Sequence, residues 1–139
     1  MALLKFLVHR ENYRTQEDRQ EAKSFGEQGE QMAARYLEDL GYVIIDRNYR
    51  KGHQEADVIA LDHGELVFVE VKTRSTDAFF SPENAVNHQK RLNIIKVANG
   101  YVQKHQRTEP VRFDIVAIVS NDNGTEIKHI KDAYNVMAF

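Results

Sequence analysis

Two apolar runs joined by the tetrapeptide Asp-His-Gly-Glu constrain the fold of this chain more than any other feature. The runs cover residues 55–61 and 66–72. A glycine beside polar residues between two short apolar runs predicts a β-hairpin with a tight turn. If the central His-Gly forms a two-residue loop, Asp62 pairs with Glu65, and the register of both strands follows from that pair.

Charged residues interrupt both predicted strands. Counting outward from the turn, Asp57 lies opposite Glu70 and Glu55 lies opposite Lys72. Because side chains alternate along a strand, all four charged side chains share one face of the hairpin. Directly opposed like charges repel, so Asp57 facing Glu70 is unfavourable unless a positive charge lies between them. A divalent cation such as Mg²⁺, with Lys72 beside it, would supply that charge, since hard cations bind carboxylate oxygens.

The same residues allow a purely structural interpretation. Their charges could meet water at the edge of a sheet, or Lys72 and Glu55 could form an ion pair worth less than about 1 kcal/mol. The Glu-x-Lys pattern alone decides nothing, because residues 21–23 and 126–128 also match it. The metal-site interpretation therefore rests on the apolar strand around the pattern and on Asp57.

A predicted helix offers a further acid, Glu30. Apolar residues recur at helical spacing between Phe25 and Leu40, and Gly41 is a suitable stop. At about 100° per residue, Glu30 lies about 20° from Leu37 and borders the apolar stripe. A carboxylate there could reach a metal on the sheet; the alternative is an ordinary residue at the boundary of the stripe.

The predicted elements follow the order α-β-β-β-α-β-β. A capping box at residues 24–27 opens or reinforces the first helix. The second helix begins near residues 81–82 or restarts at Asn87, and it runs to about residue 105. The predicted strands cover residues 42–49, 55–61, 66–72, 111–119 and 126–130.

Composition limits the class of protein. The 139 residues suit one domain, which we place at residues 24–139 after a polar extension at 1–23. The absence of cysteine excludes disulfides, thiolate zinc sites and a cysteine nucleophile, and it fits a cytoplasmic location. The apolar start is too short to span a bilayer, so we expect no export signal and no membrane association. The six histidines lack ligand spacing, and no phosphate loop or nucleophile elbow is present.

Charge is distributed unevenly along the chain. A net charge of −2 is not typical of a nucleic-acid-binding protein. Residues 72–112, however, carry eight basic residues against three acidic ones. This segment could follow a phosphate backbone, or it could form an ordinary solvated helix face. The sequence favours neither interpretation over the other.

Several motifs together resemble one protein family. The motifs are residues 26–33 (GEQGEQMA), 55–57 (EAD), 68–74 (FVEVKTR), 81–86 (SPENAV) and 112–114 (RFD). In combination they resemble the bacterial YraN family, UPF0102, which looks related to archaeal Holliday-junction resolvases within the PD-(D/E)xK nuclease superfamily. The resemblance runs from about residue 24 to 130. It implies an α/β fold with a restriction-endonuclease-like α-β-β-β-α-β core, in which helices flank a mixed central sheet.

The resemblance also implies a set of site residues. The implied catalytic residues are Asp57, Glu70, Lys72, Glu30 and Glu55. Glu30 matches the helical glutamate of the resolvase-like branch, and Glu55 matches the acid that precedes the aspartate. The sequence departs from the usual Gly-Glu-Ile-Asp run at Gln54 and Ala56, and neither departure removes a ligand.

These inferences lead to a first hypothesis, a Mg²⁺- or Mn²⁺-dependent endonuclease that hydrolyses DNA phosphodiester bonds. The expected metal ligands are Asp57, Glu70, Glu30 and the Val71 carbonyl, with Lys72 orienting the attacking water. The expected DNA contacts are Arg74, Gln89, Lys90 and Arg91. By analogy, the resemblance favours branched DNA such as Holliday junctions as substrate, and a homodimer as assembly. The alternatives are a non-catalytic nucleic-acid-binding or partner-binding module that keeps the nuclease fold, and an interaction domain whose acids only set solubility and register.

Overall fold

The structure is a computed structural model that describes residues 16–76 and 86–134. Its helices and strands follow the order that the sequence predicts. Two helices and five strands follow one another along the chain. They are α1 (Gln16–Asp39), β1 (Val43–Lys51), β2 (Gln54–Asp62), β3 (Glu65–Arg74), α2 (His88–Lys104), β4 (Val111–Asn121) and β5 (Gly124–Ile130). The predictions about the apolar start and about a helix start at residues 81–82 lie outside the described residues.

The five strands form one mixed sheet in the order β1-β2-β3-β4-β5. Neighbouring strands are antiparallel except β3 and β4, which are parallel. A parallel pair requires a crossover connection, and α2 lies within that connection. The arrangement is the predicted restriction-endonuclease-like core, with a mixed central sheet flanked by helices.

One helix covers each face of the sheet. Ala33 and Leu37 of α1 are completely buried in one apolar cluster, together with Val58 and Val67 of the hairpin. On the other face, α2 packs its apolar side onto a cluster that includes Phe68 of β3. Within the described ranges, neither helix is both long enough and apolar enough to cross a membrane.

One helix begins earlier than its capping sequence indicates, and the other begins where the sequence predicts a restart. α1 is already helical at Gln16 and continues through Ser24, so the capping box at residues 24–27 lies inside the helix and does not open it. Residues 16–23 are mostly good helix formers, which allows the helix to extend through a capping sequence that it does not need. α2 is capped by Asn87, whose Oδ1 accepts a hydrogen bond from the Lys90 backbone N–H at 2.9 Å. The predicted restart at Asn87 is confirmed.

A glycine on α1 sets how closely this helix approaches the sheet. A Cβ atom built on Gly29 would lie 2.1 Å from Thr73 Oγ1 of β3, so only glycine permits this approach without displacing the Thr73 side chain. The contact places the next residue, Glu30, beside the sheet. Gly26 has no such contact, because no other side chain or strand of the described residues lies within 4 Å of a Cβ built on it.

Candidate functional site

The register of the β2–β3 hairpin confirms the predicted turn and reveals where the strands separate. Asp62 pairs with Glu65, as expected for a two-residue His-Gly loop. The ladder then runs as far as Val58 and Val69, and no further β2–β3 pairs follow. Beyond that point β2 continues to pair with β1, and β3 continues to pair with β4. The two central strands therefore form a fork that opens toward the predicted catalytic residues.

Asp57 occupies this fork. Its Oδ2 atom accepts a hydrogen bond from the backbone N–H of Val71 at 2.8 Å, which joins the two strands just beyond their last ladder pair. Its carboxyl group also lies close enough to that of Glu70 for the two charges to interact. Burial, followed by the charge of Glu70, raises the pKa of Asp57 well above its usual range. The predicted juxtaposition of Asp57 and Glu70 is therefore present in the structure.

Asp57 interacts with one acid on each face of the sheet. Ala56 and Ile59 belong to the same apolar cluster, although strict alternation would put residues three apart on opposite faces. Regular alternation along β2 is thus interrupted at Asp57. This position lets Asp57 meet Glu70, which follows Phe68 on the α2 face, and also interact with Glu30 of α1.

Glu30, Glu55 and Asp57 form a cluster of carboxylates. Each offers an oxygen, and these three oxygens lie within 4.8 Å of one another. Opposite ligands of a Mg²⁺ or Ca²⁺ ion lie about 4 to 5 Å apart, so the spacing and the all-oxygen donor set fit a hard divalent cation. Burial and then the charge of Glu55 raise the pKa of Glu30. Of the two interpretations that the sequence leaves open, the structure supports the one that brings Glu30 beside the acids of the sheet.

Two lysines neutralise Glu70 from different elements. Lys72 Nζ of β3 lies 3.4 Å from Glu70 Oε1, and Lys90 Nζ of α2 lies 3.5 Å from the same oxygen. The Glu70 side chain is only 5% exposed, while those of Lys72 and Lys90 are 23% and 40% exposed. The two ammonium groups therefore connect a buried carboxylate with the surface.

The predicted pairing of Glu55 with Lys72 is wrong. The fork separates these two residues, and Glu55 instead pairs with Arg50 in the β1–β2 ladder. Arg50 Nε lies 2.9 Å from Glu55 Oε2. The hairpin register could not show this, because the ladder between β2 and β3 ends before reaching Glu55.

The four residues expected to contact DNA differ in their surroundings. Lys90 is part of the acid site through Glu70. Arg74 is exposed and donates to the carbonyl of its neighbour Thr73 at 2.8 Å. Gln89 is exposed and donates to an asparagine one turn along α2. The Arg91 guanidinium lies 5.2 Å from the centroid of the Tyr134 ring, so this arginine packs against the protein.

The last arginine of the basic segment, Arg112, is not a surface residue. Its side chain is 6% exposed and binds Asp114, which is completely buried, and Asp62. Burial alone would raise the pKa of Asp114, but hydrogen bonds from His129 and Arg112 hold it below its usual range. Tyr42 completes the network by donating its hydroxyl hydrogen to Asp114 at 3.0 Å. A phosphate backbone therefore cannot use Arg112, and the sequence-level charge count overstates the basic surface.

Sequence reasoning missed one residue of the site, Asn48 of β1. Its amide nitrogen, oriented by its hydrogen-bonding partners, lies 3.0 Å from Glu55 Oε1 and 3.0 Å from Glu30 Oε2. Its backbone has a φ of 53°, in the left-handed region. Asparagine tolerates this region better than most residues, so an asparagine inside a predicted strand was the available signal.

Comparison with known proteins agrees with the resemblance drawn from the motifs. The model of a family described as "Uncharacterised protein family UPF0102" matches residues 29–118. A UPF0102 protein of Bacteroides thetaiotaomicron is 44% identical over 114 residues, which cover 82% of this chain and 94% of the relative. A UPF0102 protein of Geotalea uraniireducens is 44% identical over 122 residues, 86% of this chain and 96% of the relative. The chain therefore belongs to the UPF0102, or YraN, family.

Proposed function

We propose that this protein is a Mg²⁺- or Mn²⁺-dependent endonuclease that hydrolyses phosphodiester bonds in DNA. The contact between the carboxyl groups of Asp57 and Glu70 is the observation that carries the proposal. Buried like charges in contact are unfavourable unless a cation or a shared proton compensates them. Glu30 and Glu55 add oxygen donors within 4.8 Å of Asp57, and Lys72 Nζ lies 3.4 Å from Glu70 Oε1.

The metal ligands in this proposal are Asp57, Glu70 and Glu30, together with the Val71 carbonyl. Carboxylate and carbonyl oxygens are the donors preferred by Mg²⁺ and Mn²⁺ rather than by softer ions. When bound, such an ion would polarise the scissile phosphate and lower the pKa of water. The Val71 N–H holds one Asp57 oxygen, which fixes the direction of the carboxylate.

Lys72 acts beside these ligands. Its side chain is about three-quarters buried, and its Nζ atom lies 3.4 Å from Glu70 Oε1. A cation in this position can donate hydrogen bonds to a phosphate oxygen and to the attacking water. It also stabilises the negative charge that develops on the phosphate during in-line attack.

The substrate side of the proposal uses the first turn of α2 and the end of β3. Lys90, Gln89 and Arg91 lie in that first turn, and Arg74 ends β3. Phosphate contacts from such residues fix the position of a strand without reading its sequence. The resemblance to resolvases favours branched DNA and a homodimer by analogy, and a cytoplasmic location would give access to such DNA.

A second candidate function is a nucleic-acid-binding module without turnover. It is favoured by the ion pairs of Lys72 and Lys90 with Glu70, which stabilise the site without a metal. In either case DNA affinity should fall steeply with added salt, because bound phosphates release counterions. Binding that does not respond to salt would contradict both candidates.

Turnover separates the two candidates. We expect wild type to cut at least one of linear, nicked, flapped and four-way DNA with Mg²⁺ or Mn²⁺, and Lys72→Ala to abolish cutting while keeping the fold and most DNA affinity. Lys104→Ala is the matched control, since it lies fourteen residues beyond Lys90 on α2, or about 21 Å along the helix. If wild type cuts none of these substrates with either ion, the binding module replaces the endonuclease.

A further inference from the structure

We infer that Asn48 is a positioning residue that holds the Glu30 and Glu55 carboxylates in place for a divalent cation. The inference rests on the proposed function, because it concerns the same cation site. It adds β1 to a site that the sequence motifs confine to α1, β2 and β3. Two independent features of Asn48 carry it, its backbone conformation and the hydrogen bonds of its amide group.

The backbone of Asn48 departs from the strand around it. Arg47 pairs with Val58 and Tyr49 pairs with Ala56, so the register puts Asn48 opposite Asp57, at a position where the β1–β2 ladder has no pair. A φ of 53° is far from the value of about −140° in an antiparallel strand. Such conformations in residues other than glycine persist where surrounding structure enforces them, and they cluster at functional sites. The backbone of β1 therefore departs from regular strand geometry at the residue opposite the buried Asp57.

The side chain of Asn48 joins two elements. Its Nδ2 atom lies 3.0 Å from Glu30 Oε2 on α1 and 3.0 Å from Glu55 Oε1 on β2. An amide nitrogen has two hydrogens, so both hydrogen bonds can form at once. Glu55 is held at its second oxygen as well, because Arg50 Nε lies 2.9 Å from Oε2. Asn48 thus fixes the separation between a helix acid and a strand acid.

The amide is chemically suited to this position. Carboxylates with oxygens within 4.8 Å of one another repel, and two charge-assisted hydrogen bonds relieve part of that repulsion. A lysine or arginine at this position would also relieve it, but its charge would compete with a metal cation. A neutral double donor holds the ligands while leaving their negative charge available. Groups that orient metal ligands in this way commonly change metal affinity tenfold to a hundredfold, as an order-of-magnitude expectation.

A double-mutant cycle in metal-free protein tests the contact itself. Asn48→Gly removes the amide but tolerates positive φ, and Glu30→Ala removes one acceptor. We expect Asn48→Gly to reduce the folding equilibrium constant about tenfold more in the wild-type background than in the Glu30→Ala background. Gln106→Gly is the matched control, because Gln106 has a φ of 52° just beyond α2, and it should show no such coupling. Additive effects of Asn48→Gly and Glu30→Ala would overturn the contact.

A Mn²⁺ titration followed by calorimetry tests the role toward the cation. We expect Asn48→Gly to raise the Mn²⁺ Kd about tenfold or more, and Gln106→Gly to leave it unchanged. An unchanged Kd for Asn48→Gly, or no Mn²⁺ binding by wild type, would overturn the inference. If wild type binds Mn²⁺ in this Asn48-dependent way but cuts no DNA, the proposed function fails and the positioning role stands. If wild type cuts DNA and Asn48→Gly matches it in binding and cutting, only the positioning role fails.

Discussion

Replacing Asp57 with asparagine should stabilise the metal-free protein at slightly alkaline pH. Asp57 is the acid whose burial and contact with Glu70 raise its pKa. The folded state therefore keeps a proton that the unfolded state releases above about pH 4. A group that binds protons more tightly when folded makes the free energy of unfolding fall as pH rises. Asp57→Asn removes this loss, because the substituted amide has no charge to gain.

The size of the effect follows from the contacts of the two carboxylates. Two like charges about 4 Å apart repel by about 4 kcal/mol at an effective dielectric constant of about 20. Lys72 and Lys90, at 3.4 and 3.5 Å from Glu70 Oε1, offset part of this repulsion. The amide oxygen can still accept the hydrogen bond from Val71 N–H. We therefore expect a gain of about 2 kcal/mol near pH 8, or about 5 to 10 °C in melting temperature.

Urea and thermal unfolding in the presence of a chelator, from about pH 4 to about pH 8, would measure this gain. The difference between Asp57→Asn and wild type should be near zero at the acidic end and should grow steadily with pH. Added Mg²⁺ should stabilise wild type by mass action and should leave Asp57→Asn nearly unchanged. Glu126→Gln, an exposed acid of β5, controls for net charge. If Asp57→Asn is no more stable than wild type near pH 8, the reasoning about the acid pair is refuted.

Further changes test the packing that positions the site. Gly29→Ala should destabilise by about 1 to 3 kcal/mol in urea, because the added Cβ would lie 2.1 Å from Thr73 Oγ1. Adding Thr73→Ala should recover most of this loss, and no recovery would contradict the proposed contact. A Cβ at position 26 would meet open space, so Gly26→Ala should instead raise the free energy of unfolding by up to about 1 kcal/mol, because alanine is the better helix former. Arg112→Met should cost about 3 to 5 kcal/mol by the same assay, because it leaves Asp114 buried without its main cation, and a loss below about 1 kcal/mol would contradict this.

The sequence predicts those parts of the site that depend on local periodicity. The turn sets the register that brings Asp57 opposite Glu70, although the alternation along β2 is interrupted at Asp57 itself. Helical periodicity puts Glu30 at the border of the apolar stripe, and the structure brings it beside Glu55 and Asp57. In both cases the position of the residue follows from counting along its own element, so its neighbours in the chain contain most of the required information.

Other features depend on partners that are distant in the chain. Because β2 separates from β3, Glu55 forms an ion pair with Arg50 rather than with Lys72. No local sequence pattern marks where the β2–β3 ladder ends. Arg112 counts as a basic residue in the sequence, although Tyr42 and Asp114 bury it in the structure. Charge counts assume exposure, and exposure is decided by tertiary contacts.

The acid cluster at the fork between β2 and β3 is complete only when both helices have docked on the sheet. Glu30 arrives on the helix that packs on one side of the sheet, and Lys90 arrives on the helix that packs on the other. A partly folded chain without α1 would lack the Glu30 carboxylate, and one without α2 would lack the Lys90 ammonium group that pairs with Glu70. Under the proposed function, cation binding would therefore depend on the docking of both helices, and a chain lacking either one should not cut DNA.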